Sequence, residues 1–228
     1  MSARENSPLG LFVMGSCRVH RPVASLTAGE VSYLTGGMGG YTHTVKEAIQ
    51  RLAFLQGGAT WPDNLTKFIL GSERVPAWVQ QMVDDLQMAD ALVVEVSSGK
   101  EVRLEDTYLQ LNYLSSLLVN QLGGAGKSWW SELLRFGKPS DEVIGAALEA
   151  ASAAGFGANA MAVIEGAEAS RATRESLRDD IRNLAVMADR PIVLVTHVDI
   201  GKIEAGELKG RSQFVSLVEQ AAEGIPGV

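Results

Sequence analysis

Ala91-Leu92-Val93-Val94-Glu95-Val96 is a short, β-branched and nearly continuous apolar run. A strand with one wet face alternates apolar and polar residues, whereas a strand covered on both faces reads as a continuous run. Pro191-Ile192-Val193-Leu194-Val195-Thr196 has the same character. Leu9-Gly10-Leu11-Phe12-Val13-Met14, bounded by Gly15, reads as a third buried strand, and Glu30-Val31-Ser32-Tyr33-Leu34 as a weaker fourth. Between them lie helical patterns. Val45, Ala48, Ile49, Leu52 and Leu55 recur at spacings of three and four, which puts them on one helix face. Similar patterns cover 75–88, with Pro76 as a first-turn proline, 105–122, 141–154, 170–187 and 211–223. Helix and strand in this rhythm predict an α/β fold with a mostly parallel central sheet, in one domain over residues 1–228. In such a sheet ligands bind beyond the C-terminal ends of the strands. The places to search are therefore the residues after Met14, Leu34, Val96 and Val195.

Composition narrows the function classes. The 228 residues carry 20 basic and 27 acidic side chains, a formal net charge of −7, which speaks against a nucleic-acid binder. A hydrophobic fraction of 46% is enough for a packed core and argues against disorder. A single cysteine excludes an intramolecular disulfide and a cysteine-rich zinc site. The histidines show no spacing expected of a metal site. No apolar run is long enough to span a bilayer, and Leu9 to Met14 is too short for the core of a signal peptide. These features predict a cytoplasmic protein without a membrane span.

The first strand runs into Gly15-Ser16-Cys17-Arg18-Val19-His20. Gly allows a tight turn, and the backbone N–H groups that follow can face an oxyanion. Cys17 is the only thiol, and Arg18 and His20 would favour its thiolate if they fold beside it. The bland alternative makes Cys17 a small buried hydrophobe.

Gly15-Ser16-Cys17 at the end of a first strand resembles the first block of the SGNH/GDSL-like hydrolase superfamily, whose usual form is Gly-Asp-Ser. It is most similar to the GSCFA-type and capsule-acyltransferase-like branches, which carry Cys at the nucleophile position. The resemblance implies a three-layer, flavodoxin-like fold. The implied activity is hydrolysis of an ester, or transfer of an acyl group to a sugar or other small acceptor, through a covalent acyl-enzyme. Cys17 would be the nucleophile and one oxyanion donor, with Gly37 or Gly39 of Gly36-Gly37-Met38-Gly39-Gly40 supplying another. The family's Gly-x-Asn-Asp block falls on Ser97-Ser98-Gly99-Lys100, where a Ser hydroxyl replaces the Asn. No Asp-x-x-His occurs near the C-terminus, so the base must come from His20, His43 or His197. Ser97, Ser98, Lys100 and Arg103 are candidate substrate-binding residues after the central strand, the two cations suiting a phosphate or carboxylate. Their alternative role is a solvated turn. No cofactor is required, and acetyl-coenzyme A or another acyl-coenzyme A is a candidate donor. The expected partner is a small-molecule or saccharide substrate, and a homodimer is compatible with the Leu-rich stretch after Glu105.

Two other motifs compete. Gly123-Gly124-Ala125-Gly126-Lys127-Ser128 ends like a phosphate-cradling loop, but Gln121 stands where a Walker A motif needs Gly. It carries the alternative reading of a nucleotide-binding protein; the other alternative is a non-catalytic SGNH-like binding subunit. Gly155-Phe156-Gly157-Ala158-Asn159-Ala160 fits Gly-x-Gly-x-x-Ala, but follows a helical run and not a strand, which removes the dinucleotide reading.

Overall fold

In a computed structural model, residues 7–26, 31–34, 41–75, 77–196 and 211–228 are described. In chain order they form β1 (Leu9–Met14), α1 (Cys17–Ser25), β2 (Val31–Tyr33), α2 (Val45–Leu55), a 3-10 turn (Asp63–Leu65), α3 (Thr66–Leu70), α4 (Trp78–Met88), β3 (Ala91–Glu95), β4 (Lys100–Leu104), β5 (Thr107–Leu109) and α5 (Leu111–Leu114). A π-helical turn (Ser115–Val119), α6 (Gly123–Phe136), α7 (Asp141–Ala153), α8 (Ala158–Gly166), β6 (Glu168–Arg171), α9 (Arg174–Ala188), β7 (Ile192–Val195) and α10 (Arg211–Ala222) follow. The chain divides into two compact units, one of residues 1–59, 77–99 and 173–228, the other of 60–76 and 100–172.

The first unit holds a four-stranded parallel sheet of order β2-β1-β3-β7, flanked by helices. All four strands expected from the apolar runs are in it. Val13 pairs with Val93 and Phe12 with Leu92, while Val93 pairs with Val193. Successive side chains alternate across the sheet. Val13 and Val93 form one cluster with Val19 and Val23 of α1, joined by Leu11, Tyr33 and Val195. Phe12, Met14, Leu92 and Val94 point the other way and are also buried. α2 packs against β3 and α9, α4 against β1 and α2, and α9 against α10. Ends are fixed locally. Ser16 caps α1 through Oγ, and Thr44 caps α2 by accepting from Glu47 N–H. Arg190 ties the turn before β7 to the carbonyls of Leu86 and Ala89.

The second unit carries the antiparallel sheet β5-β4-β6 beside short helices. Trp129 is fully buried and donates from Nε1 to the Ile164 carbonyl at 2.9 Å. Gly71 takes φ of +72°, and a Cβ there would stand 2.6 Å from the Tyr113 ring. Three expectations change here. The stretch 105–122 is not one helix, because Thr107-Tyr108-Leu109 pairs with β4. The helix expected from Ser170 begins at Arg174, because Glu168–Arg171 is the third strand of this sheet. Lys100 and Arg103 are strand residues and not part of a turn. Among the described residues no helix is long and apolar enough to cross a membrane. Pro76 lies outside the described residues.

Candidate functional site

The strand order itself selects a location. From β1 the chain crosses through α1 to β2 on one side, and from β2 it returns past β1 to β3 on the other. Right-handed crossovers put those two connections on opposite faces. The C-terminal ends of β1 and β3 therefore flank the point where the winding reverses, which is where open parallel sheets bind ligands.

Glu95 closes β3 at this point and is only 2% exposed. Its Oε2 accepts the Ser16 N–H at 2.5 Å. That approach needs Gly15, because a Cβ there would stand 2.8 Å from Glu95 Cβ and 3.0 Å from Oε2. Its Oε1 lies 3.7 Å from His43 Nδ1. The same Nδ1 is 2.9 Å from Ser97 Oγ. Burial pushes the Glu95 carboxyl upward. The nearby His43 ring, the Ser16 hydroxyl and N–H, and Ser97 outweigh it and hold the carboxyl down at about 2. Glu95 is thus a buried anion at neutral pH with its charge shared among named donors.

His43 is 5% exposed and held from several directions. Its N–H donates to Glu47 Oε2 at 2.9 Å, and its carbonyl accepts from Ser97 and Ser98 N–H at 2.9 and 3.0 Å. Its ring stacks on Tyr41, with ring centres 6.0 Å apart. The segment before α2 is thereby bound to the loop after β3.

Cys17 opens α1 and is partly exposed. At the first helical position its N–H has no intrahelical acceptor. Ser16 is 3% exposed; its Oγ accepts from Arg18 N–H at 3.3 Å and bonds Glu95. The serine of Gly15-Ser16-Cys17 therefore acts as a cap and a tether.

His20 is 4% exposed, with Nδ1 2.6 Å from the Tyr33 hydroxyl. Burial, seconded by the Arg51 charge, pulls its pKa below the usual 6.5 against the raising pull of the Gly15 backbone and Glu95. Its site favours the neutral ring, built into the α1 face of the sheet.

The structure thus brings Ser16, His43 and Ser97 together on Glu95, with Cys17 next to Ser16 and the Ser98 backbone on the His43 carbonyl. Arg103 pairs with Glu168 at 2.9 Å on β4 of the second unit, which also contains Lys100. Gly37, Gly39 and His197 lie outside the described residues. Residues 123–128 fold as the start of α6, preceded by a π-helical turn. A phosphate-cradling loop needs a strand before it, so the nucleotide reading loses its support. Sequence reasoning missed Glu95, and the signal was a lone carboxylate at the end of an apolar strand. Among the described residues no group of three His, Cys, Asp or Glu is arranged to hold a metal ion.

Residues 9–228 match the family model of the TviD N-terminal domain, a domain of a capsule (Vi antigen) biosynthesis protein. No curated protein and no solved structure matches the chain.

Proposed function

We propose, from the premise that the chain belongs to the TviD N-terminal domain family, that it carries out acyl chemistry on a saccharide or small-molecule ester through an acyl-enzyme on Cys17. The observation that carries this reading is the bridging position of Glu95. One of its oxygens takes the N–H of Ser16, the residue before Cys17, and the other faces His43. The strand order β2-β1-β3-β7 supports an SGNH-like three-layer architecture, with the reversal point at these residues.

In this mechanism the Cys17 sulfur attacks the acyl carbonyl and its proton passes to His43. With Nδ1 engaged by Ser97 and Glu95, Nε2 is the nitrogen that takes it, and the Glu95 charge stabilises the imidazolium. The tetrahedral oxyanion is held by the Cys17 N–H. Collapse breaks the bond to the leaving group, which departs with the proton from His43. A water or a sugar hydroxyl, deprotonated by His43, then attacks the thioester, and the thiolate recovers its proton. Acetyl-coenzyme A fits the donor role.

The test is intact mass after exposure to 4-nitrophenyl acetate and, separately, to acetyl-coenzyme A, on the wild type and on Cys17→Ala. One acetyl adduct is expected on the wild type, formed faster than on a free thiol and absent from the variant. A folded wild type that acquires no adduct above the free-thiol rate would leave a non-catalytic binding domain as the reading.

A further inference from the structure

The second unit contains a cavity of about 300 Å³ that the acyl mechanism does not use. Its lining includes Asn64, Lys67, Phe68 and Glu73 on one side of the sequence and Phe156 and Asn159 on the other. The volume lies at the lower end of the roughly 300–1,000 Å³ typical of small-ligand sites.

Local rules explain how Phe156 comes to line it. α7 ends in a Schellman turn. Phe156 N–H bonds the Ala151 carbonyl at 2.9 Å and Gly155 N–H bonds the Ser152 carbonyl at 3.0 Å. Gly155 supplies the positive φ of +74° that this turn needs. Gly157 then starts α8 without a side-chain cap, and Asn159 falls in the first turn. The Gly-x-Gly-x-x-Ala pattern thus places an aromatic ring and an amide on one wall. α3 contributes the buried ring of Phe68.

Charge and shape decide the ligand class. Lys67 Nζ stands 2.6 Å from Glu73 Oε1, so the lining's cation and anion neutralise each other. The half-exposed Phe156 ring offers apolar contact, with the buried Phe68 behind the wall, and the two Asn amides each carry donors and acceptors. A ring with an apolar face and a rim of hydroxyl groups fits that set. We propose that this cavity is a binding site for a neutral pyranose unit of a saccharide. The site is independent of Cys17 and holds whether or not the acyl reading does.

Saturation-transfer NMR with the methyl pyranosides of glucose, galactose and N-acetylglucosamine tests it, with methyl glucuronoside as the charged comparison. At least one neutral glycoside should receive saturation on its ring protons. The signal should fall at least fivefold in Phe156→Ala and in Asn159→Ala, both at exposed or half-exposed positions, and persist in Cys17→Ala. A circular dichroism melt confirms that each variant is folded. No transfer to any neutral glycoside, transfer to the glucuronoside alone, or undiminished transfer in both cavity variants would overturn the proposal.

Discussion

The N–H of Ser16 and the carboxylate of Glu95, 79 positions apart in sequence, are joined by a 2.5 Å hydrogen bond. The bond fastens the turn after β1 to the end of β3, and so fixes where α1 and Cys17 begin. Because the acceptor is a buried anion, the contact is charge-assisted and strong. Its loss would disturb both the fold and the candidate site.

Acid should reveal this anion. The folded carboxyl titrates near 2 and the free group near 4.5. A depressed folded pKa gives stability that is present above 4.5 and disappears as pH falls towards 2. At 1.36 kcal/mol per pH unit, the 2.5-unit gap amounts to about 3 kcal/mol. Urea unfolding of the wild type and Glu95→Gln across this window should show the wild-type advantage shrinking as pH falls. A constant difference between the two would contradict it.

His20 extends the acid sensitivity upward. Its pKa is depressed, so stability is complete above 6.5 and begins to decline below it as the unfolded chain takes up the proton first. Histidine ring NMR should find His20 more than half neutral at pH 6.5. Tyr33→Phe, which removes the hydroxyl 2.6 Å from Nδ1, should lower the thermal midpoint by several degrees, as a loss of about 1–3 kcal/mol for a buried unmade hydrogen bond would. An unchanged midpoint would mean the bond is dispensable.

Gly15→Ala should cost about 1–3 kcal/mol, the usual penalty of overpacking, since the new Cβ would stand 2.8 Å from Glu95 Cβ. If the carboxylate is displaced, acylation of Cys17 should fall with stability. A variant as stable and as reactive as the wild type would show that the approach of Gly15 to Glu95 is unimportant.

Within the acyl mechanism, His43→Gln should slow adduct formation about 10²–10⁴-fold, the range for a lost general base. Ser97→Ala, which leaves the imidazole but removes the hydroxyl 2.9 Å from Nδ1, should slow it less. Equal effects would place both residues in structural roles only. Stopped-flow release of 4-nitrophenol measures both.

Residues 123–128 offer a control. Gly126→Ala would bring a Cβ to 2.3 Å from the Val119 carbonyl and should destabilise the protein by more than 1 kcal/mol, again by overpacking. Lys127 is exposed on α6, and Lys127→Ala should leave the thermal midpoint unchanged with and without magnesium ATP. A nucleotide-induced rise in midpoint that Lys127→Ala abolishes would restore the nucleotide reading.

What the sequence revealed follows burial. β1 and β3 are covered enough to be written in consecutive apolar residues, whereas β7, expected to be buried, buries only Ile192 and leaves Val193 51% exposed despite the same apolar run; β2 was visible beside them. β4 was not, because Lys100-Glu101-Val102-Arg103-Leu104 carries three charges, and the same residues suit a solvated turn. Glu168-Ala169-Ser170-Arg171 has neither a long apolar run nor β-branched residues, and it merged with the amphipathic helix after it. Cys17 and His43 stood out in the sequence because they follow and precede regular elements, where chemistry is expected. Glu95 was hidden inside a strand pattern, and only the pairing of β3 with β1 shows that its side chain meets Ser16.

The register of β3 with β7 has a consequence for biosynthesis. As the chain leaves the ribosome, β1, β2 and β3 can assemble early, but the strand that covers the far edge of β3 is not made until residues 192–195. All of residues 100–172, which belong to the other unit, must emerge first. During that interval the apolar strand Ala91–Glu95 presents an unpaired edge, the kind of surface that recruits foreign strands. Truncations that stop between the two strands should therefore accumulate in inclusion bodies, and the nascent chain is a natural client for chaperones until its last parallel strand docks.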